Sequence, residues 1–157
     1  MKSCQATWED EENNRRVELV VNYRLDAKRV FPLVHDARHP AIAPVDVVIT
    51  DVPCTGTGTF RRHPDARWRL KVSDLAVMGA IQRSIVRASA ALVKPGGLLI
   101  YSTCSLEPEE NDIQVETFLS DHPEFVLEPP PEGAVPATVL DAGRLRVMRA
   151  LKLAIPA

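Results

Sequence analysis

Two short apolar runs, each leading straight into a cysteine-bearing loop, constrain this chain more than anything else in it. The first is Val45-Asp46-Val47-Val48-Ile49-Thr50, followed by Asp51-Val52-Pro53-Cys54-Thr55-Gly56-Thr57-Gly58. The second is Gly97-Leu98-Leu99-Ile100-Tyr101, followed by Ser102-Thr103-Cys104-Ser105 and then Leu106-Glu107-Pro108-Glu109-Glu110-Asn111. Both runs are short, aliphatic and unbroken, as expected of strands covered on two faces. Between them Leu75, Met78, Ile81, Ile85 and Leu92 recur at helical spacing. Ser73 or Asp74 is placed to cap that helix, and Lys94-Pro95-Gly96-Gly97 to stop it. A strand, a crossover helix and a second parallel strand bring both strand ends to one carboxyl edge, where open α/β sheets bind ligands. The thiols of Cys54 and Cys104 and the carboxylate of Asp51 are therefore expected in one cleft.

Position separates these two thiols from the ordinary buried cysteine, which fills space inside a strand or helix. Cys4 fits that plain role, whereas Cys54 and Cys104 sit on exit loops among glycines and prolines. Three cysteines with no C-x-x-C pair predict neither a zinc site nor a disulfide framework, and the sparse, odd count suits a reducing cytoplasm. Other motifs fail on spacing. The arginine that a cysteine phosphatase places after its nucleophile would fall at Phe60, one residue short of Arg61. Gly56-Thr57-Gly58 begins like a dinucleotide fingerprint, but its third glycine would fall at Arg61, and no G-x-x-x-x-G-K-[ST] loop occurs. The glycines instead suit a close approach of the loop backbone to a neighbouring group.

The two segments resemble the Sun-type family of bacterial RNA cytosine-5 methyltransferases. That family has a D-A-P-C-S-G-T-G segment followed by R-R-H-P-D and a tryptophan, then a T-C-S followed by P-E-E-N. Here Asp51 to Gly58, Arg61-Arg62-His63-Pro64-Asp65, Trp68, Thr103-Cys104-Ser105 and Pro108-Glu109-Glu110-Asn111 repeat it, with Val52 and Thr55 as departures. The resemblance extends more weakly from about Arg16 to about Val147. It implies a Rossmann-like, class I α/β methyltransferase fold and transfer of a methyl group from S-adenosylmethionine to carbon 5 of cytosine in small-subunit ribosomal RNA. It also implies roles. Cys104 would add to carbon 6 of the base, Cys54 would assist release, and Asp51 would sit against base and cofactor. Asp36 would contact the adenine and Asp10 the ribose, while Pro53, Arg61, Arg62 and His63 would meet RNA. Two thiols make chemical sense, because carbon 5 of cytosine becomes nucleophilic only after a thiolate adds to carbon 6, and that adduct must later be undone. The target base must also leave its stack.

Residues 1–157 are expected to form a single, partial methyltransferase domain. No glycine precedes Gly56, so the family's glycine-rich cofactor loop and first strands are expected to be missing, and residues 145–157 resemble the start of its final hairpin. A partner chain or an amino-terminal segment would then complete the enzyme. The 45% hydrophobic content is that of a globular domain, and no apolar run approaches the ~20 residues of a membrane span. A formal charge of −2 gives no global attraction to RNA, so contact must come from the local cluster of Arg61, Arg62, His63, Arg67, Arg69 and Lys71. Three other readings stay open: an inactive RNA-binding remnant, a half-enzyme completed by another chain, and a cysteine hydrolase. Elsewhere the pattern predicts a helix over 11–25, an edge strand over 30–34 interrupted by Pro32, and a helix opened by Pro108. Ile113, Val115, Phe118 and Leu119 are its expected core contacts, Glu128 to Pro136 an irregular link, and 144–151 a strand.

Overall fold

The structure, a computed structural model, describes residues 2–10, 15–23, 33, 35–130, 132–133, 136, 140–141, 144–145 and 149–154. The chain divides into two compact units, Met1–Asp36 and Ala37–Ala157. In the first, strand β1 (Lys2–Asp10) pairs antiparallel with β2 (Arg15–Tyr23), from Lys2 opposite Tyr23 to Asp10 opposite Arg15. This overturns the helix expected over 11–25. Val17, Leu19 and Val21 satisfy a period of two just as Val17, Val20, Val21 and Leu25 satisfy the helical one, and β-branched Val17, Val20 and Val21 favour extended backbone. Of the strand expected over 30–34, only Leu33 is among the described residues.

The second unit is built on a mixed sheet. Strand β3 (Val45–Asp51) lies parallel to β4 (Val93–Thr103), with helix α2 (Val72–Ala90) crossing between them in sequence as expected. On its other edge β4 pairs antiparallel with β8 (Arg149–Ala154). Short strands β5 (Val126–Leu127), β6 (Leu140–Asp141) and β7 (Arg144–Leu145) complete the sheet, so the single strand expected over 144–151 is a hairpin of β7 and β8.

The central strand β4 carries the core. Leu99, Tyr101 and Thr103 alternate onto one buried face and, with Val52, pack beneath α2 and α3 (Asp112–Asp121), where Ile85, Val86, Val115 and Phe118 are buried. Full burial of an aliphatic or aromatic side chain such as Leu99 stabilises by roughly 1.5–3 kcal/mol. On the opposite face of β3, Val47 is 50% and Ile49 69% exposed, so among the described residues the expected cover is seen on one face of this strand.

The boundaries of α2 differ from expectation in an instructive way. Lys71 is the N-cap, and Asp74 Oδ2 accepts the Lys71 backbone N–H at 2.8 Å, so Asp74 stabilises the first turn from inside it. The helix ends at Ala90, before the Lys94–Gly97 stretch. Those residues form instead a bulge in β4: Val45 pairs with Val93 but Val47 with Leu98. A helix stop and a strand bulge call for the same residues. Pro108 opens a 3-10 turn over Pro108–Glu110 ahead of α3, and Ile113 is exposed rather than a core contact.

Candidate active site

The loops leaving β3 and β4 meet at the carboxyl edge of the parallel pair. Cys54 Sγ lies 3.1 Å from Cys104 Sγ, so the sequence-predicted thiols are in direct hydrogen-bonding contact. Cys104 is exposed and Cys54 half-buried. Burial, and after it the hydrogen bond with Cys104, pushes the Cys54 thiol up to about 12. Cys54 is therefore protonated near neutrality and able to donate to the Cys104 sulfur.

Asp51, the last residue of β3, is exposed at the same edge and accepts a hydrogen bond from Ser102 Oγ at 3.1 Å. Asp10 ends β1, and Asp36 closes the first unit, so these two belong to a unit described separately from the cysteine pair. Among the described residues no group of His, Cys, Asp and Glu could hold a metal ion.

Two glycines let the loops come together. Gly56 has φ 70°, a left-handed conformation that side chains rarely adopt. At Gly58 a Cβ would stand 2.6 Å from the Cys104 carbonyl oxygen, the same oxygen that accepts the Gly58 N–H at 3.0 Å. A methyl group cannot occupy that gap, so the close approach of the two loops depends on glycine here.

Beneath the thiols lies a polar layer that the residue pattern did not disclose. Glu110 is fully buried, and its Oε1 accepts from the Thr55 N–H at 2.9 Å and from Gln82 Nε2 at 3.0 Å, while Oε2 accepts from Thr55 Oγ1. Gln82 Nε2 also donates to Pro53 O at 2.9 Å. Asn111, equally buried, donates to Ser105 O at 3.1 Å and Glu107 O at 2.7 Å, and accepts from Thr103 Oγ1 at 3.0 Å. Thr57 Oγ1 accepts from the Leu106 N–H at 2.9 Å, joining the loops once more. Glu110, two residues after Pro108, turns inward rather than to solvent. One signal was available: Gln82 interrupts the apolar stripe of α2 between Met78 and Ile85, where a polar residue demands a partner.

The expected basic cluster follows directly. Arg61, Arg62 and His63 are exposed, as are Arg67, Arg69 and Lys71, and Trp68 on α1 (Ala66–Arg69) is 86% exposed. Part of the cluster is already engaged, because Arg69 pairs with Asp65 and Arg67 lies over the Phe60 ring, 5.6 Å from its centroid. Pro53 is exposed beside Cys54. No helix among the described residues is long and apolar enough to cross a membrane.

A family model described as 16S rRNA methyltransferase RsmB/F matches residues 1–146. A probable ribosomal RNA small subunit methyltransferase B from Synechocystis sp. is 45% identical over 98 residues, which is 60% of this chain and 22% of that protein. The ribosomal RNA small subunit methyltransferase B of Thermus thermophilus is 42% identical over 115 residues, 73% of this chain and 27% of that protein. The chain thus spans about a quarter of the length of the curated relatives it matches. Among solved structures, that of PH0851 superposes with a TM-score of 0.65 at 39% identity, covering 79% of this chain and 30% of that one. NSun6 from Pyrococcus horikoshii with SFG gives a TM-score of 0.63 at 22% identity, covering 80% and 34%, a likeness of fold.

Proposed function

This chain belongs to the RsmB/F family of 16S rRNA methyltransferases, and from that premise we propose that its cysteine pair serves methylation of carbon 5 of cytosine in small-subunit ribosomal RNA, with S-adenosylmethionine as the donor. Its fold is the Rossmann-like, class I methyltransferase fold, incomplete over the described residues. The observation that carries the reading is the 3.1 Å separation of Cys54 and Cys104 at adjacent strand ends.

Cys104, exposed and receiving a hydrogen bond from a protonated neighbour, is the sulfur that adds to carbon 6 of a base turned out of its stack. The bond forms from the sulfur lone pair, and the electrons of the 5,6 double bond make carbon 5 nucleophilic. The cofactor supplies an electrophilic methyl sulfonium. Asp51 would hold it and the base edge, since an exposed carboxylate at a strand's carboxyl end accepts amino and hydroxyl donors. Asp36 and Asp10 keep the adenine and ribose roles that the family resemblance implies.

Release asks the opposite of Cys54. Two influences that keep its proton on, the hydrogen bond and the charge of Cys104, disappear when the Cys104 sulfur is committed to carbon. Cys54 is then freer to ionise and take the carbon 5 proton, the double bond re-forms, and the Cys104–carbon 6 electrons return to sulfur. Pro53, Arg61, Arg62 and His63 would contact the RNA, the cations through phosphates.

The test uses the chain alone and joined to the amino-terminal portion of a relative, with ribosomal RNA and labelled donor. Cys104→Ala should lose both methylation and covalent RNA capture, and Cys54→Ala should accumulate an adduct that survives denaturing gels. An adduct formed by Cys104→Ala but not by Cys54→Ala reverses the assignment, and no methyl incorporation by the joined protein removes the reading.

A further inference from the structure

The buried polar layer under the thiols is more than loop packing, because its bonds go to the residues on either side of each cysteine. Pro53 O and the Thr55 N–H flank Cys54 in sequence, and both are bound, the first by Gln82 and the second by Glu110, which also bond to one another. Thr55 gives its hydroxyl to the same Glu110 carboxylate. On the other loop, Asn111 binds the carbonyl of Ser105, next to Cys104. Glu110 is itself tied to the central strand, since the Tyr101 hydroxyl donates to the Glu110 carbonyl at 2.8 Å.

We infer that Glu110 and Asn111 are positioning residues for the cysteine pair: Glu110, with Gln82, fixes the Cys54 loop from both sides, and Asn111 fixes the Cys104 loop, so that one short turn after β4 sets the distance between the sulfurs. The physical case rests on cost. Burying a carboxylate and two amides is unfavourable unless they are hydrogen-bonded, and similar volume in apolar residues would stabilise the core at least as well. What the polar groups add is direction. A carboxylate accepting backbone and hydroxyl donors holds them in bonds about twice as strong as neutral ones. The Cys54 loop has no regular structure of its own before the 3-10 turn at Thr57–Thr59. Adjacent side chains on one turn thus add to the Gly58–Cys104 and Thr57–Leu106 bonds that join the two loops, and anchor each loop beside its cysteine. The inference rests on the reading of the two thiols as the reacting groups, and gives that site the residues which hold its geometry.

The experiment measures thiol juxtaposition without RNA or donor, so its failure is separable from a failure of methyl transfer. The folded chain is equilibrated with reduced and oxidised glutathione. The two thiols give up two electrons and two protons to one oxidised glutathione, forming a Cys54–Cys104 disulfide and two glutathione thiols, and the linked peptide is quantified by mass. Glu110→Ala and Asn111→Ala should each lower the effective concentration of the pair by about tenfold or more. Glu110→Gln should stay within about threefold of the parent, because the amide oxygen can accept from Thr55 N–H and Gln82 while its nitrogen donates to the Thr55 hydroxyl. That rescue marks positioning by hydrogen bonds. Should Glu110→Ala lose its cooperative melt, Thr55→Val, which removes one bond to Glu110 and keeps Glu110 itself, is expected to show a fall of the same kind. An unchanged value in Glu110→Ala or Thr55→Val, or a Glu110→Gln as weak as the alanine variant, overturns the inference.

Discussion

Gly58→Ala is the sharpest perturbation the loop geometry offers. The added Cβ would lie 2.6 Å from the Cys104 carbonyl oxygen and 3.5 Å from both the Cys104 carbonyl carbon and Leu106 Cγ. Carbon and carbonyl oxygen normally approach no closer than about 3.3 Å, so the loops must part by about 0.7 Å. The Gly58 N–H bond to that oxygen, now 3.0 Å, would then lengthen past the hydrogen-bonding range. Overpacking costs about 1–3 kcal/mol and a lost hydrogen bond about 0.5–1.5. Reduced freedom of the unfolded chain returns only about 0.4–1 kcal/mol, so the steric effect wins. With an exposed loop able to yield, a net loss of about 1–3 kcal/mol is expected, a fall in Tm of roughly 3–10 °C for a domain of this size. Function should suffer more. A displacement near 1 Å at reacting groups can cost about a hundredfold, so methyl transfer by the joined protein should fall about tenfold to a hundredfold. Calorimetry and labelled-donor turnover are measured side by side. A variant with unchanged Tm and turnover within about twofold would refute the reasoning that this contact sets the thiol geometry.

Asp51→Asn should leave Tm within the range of a surface change, about 0.5 kcal/mol, while turnover falls by about a hundredfold, because the amide keeps shape but not charge; wild-type turnover removes Asp51 from the mechanism. The Cys54 thiol predicts an alkaline stability loss. Its folded value of about 12 lies above the unfolded 9.0, so its contribution is complete below pH 9 and is lost as the pH climbs from there toward 12. Melting curves across that window should fall less steeply for Cys54→Ala than for the parent, and parallel curves would contradict the burial argument. Tyr101 is raised by burial, then by Glu110 and by Cys54 itself, so the comparison is made at the lower part of that window, before the tyrosine titrates.

The residue pattern made the parallel β3–α2–β4 unit legible because hydrophobic period and loop chemistry agreed there. The same agreement placed Cys54, Cys104 and Asp51 at one edge, although not the 3.1 Å contact itself. Where two signals share one sequence it misled. Residues 15–23 satisfy both periods, and the pairing with β1 decides for strand. Lys94–Gly97 looks like a helix stop and acts as a bulge. Glu110 was hidden for a different reason: an acidic residue after a proline reads as helix-dipole chemistry unless the loops it satisfies are known, and those lie 28 and 55 positions away in Gln82 and Thr55.

The polar turn also divides the chain by how freely its length can vary. Between Cys104 and Glu110 no residue can be added or removed without moving one loop against the other by about 3.3 Å, the rise of one extended residue. Between Gly58 and α2 the chain runs through exposed Arg61, Arg62, His63 and Trp68, none of which reaches the buried Glu110 or Asn111. Insertions or deletions there can reshape the exposed basic face, which we propose meets RNA, while the sulfur pair stays where it is. Selection for new target sequences would therefore be expected to act on the length of the segment from Phe60 to Lys71, and to leave the interval from Cys104 to Asn111 at constant length.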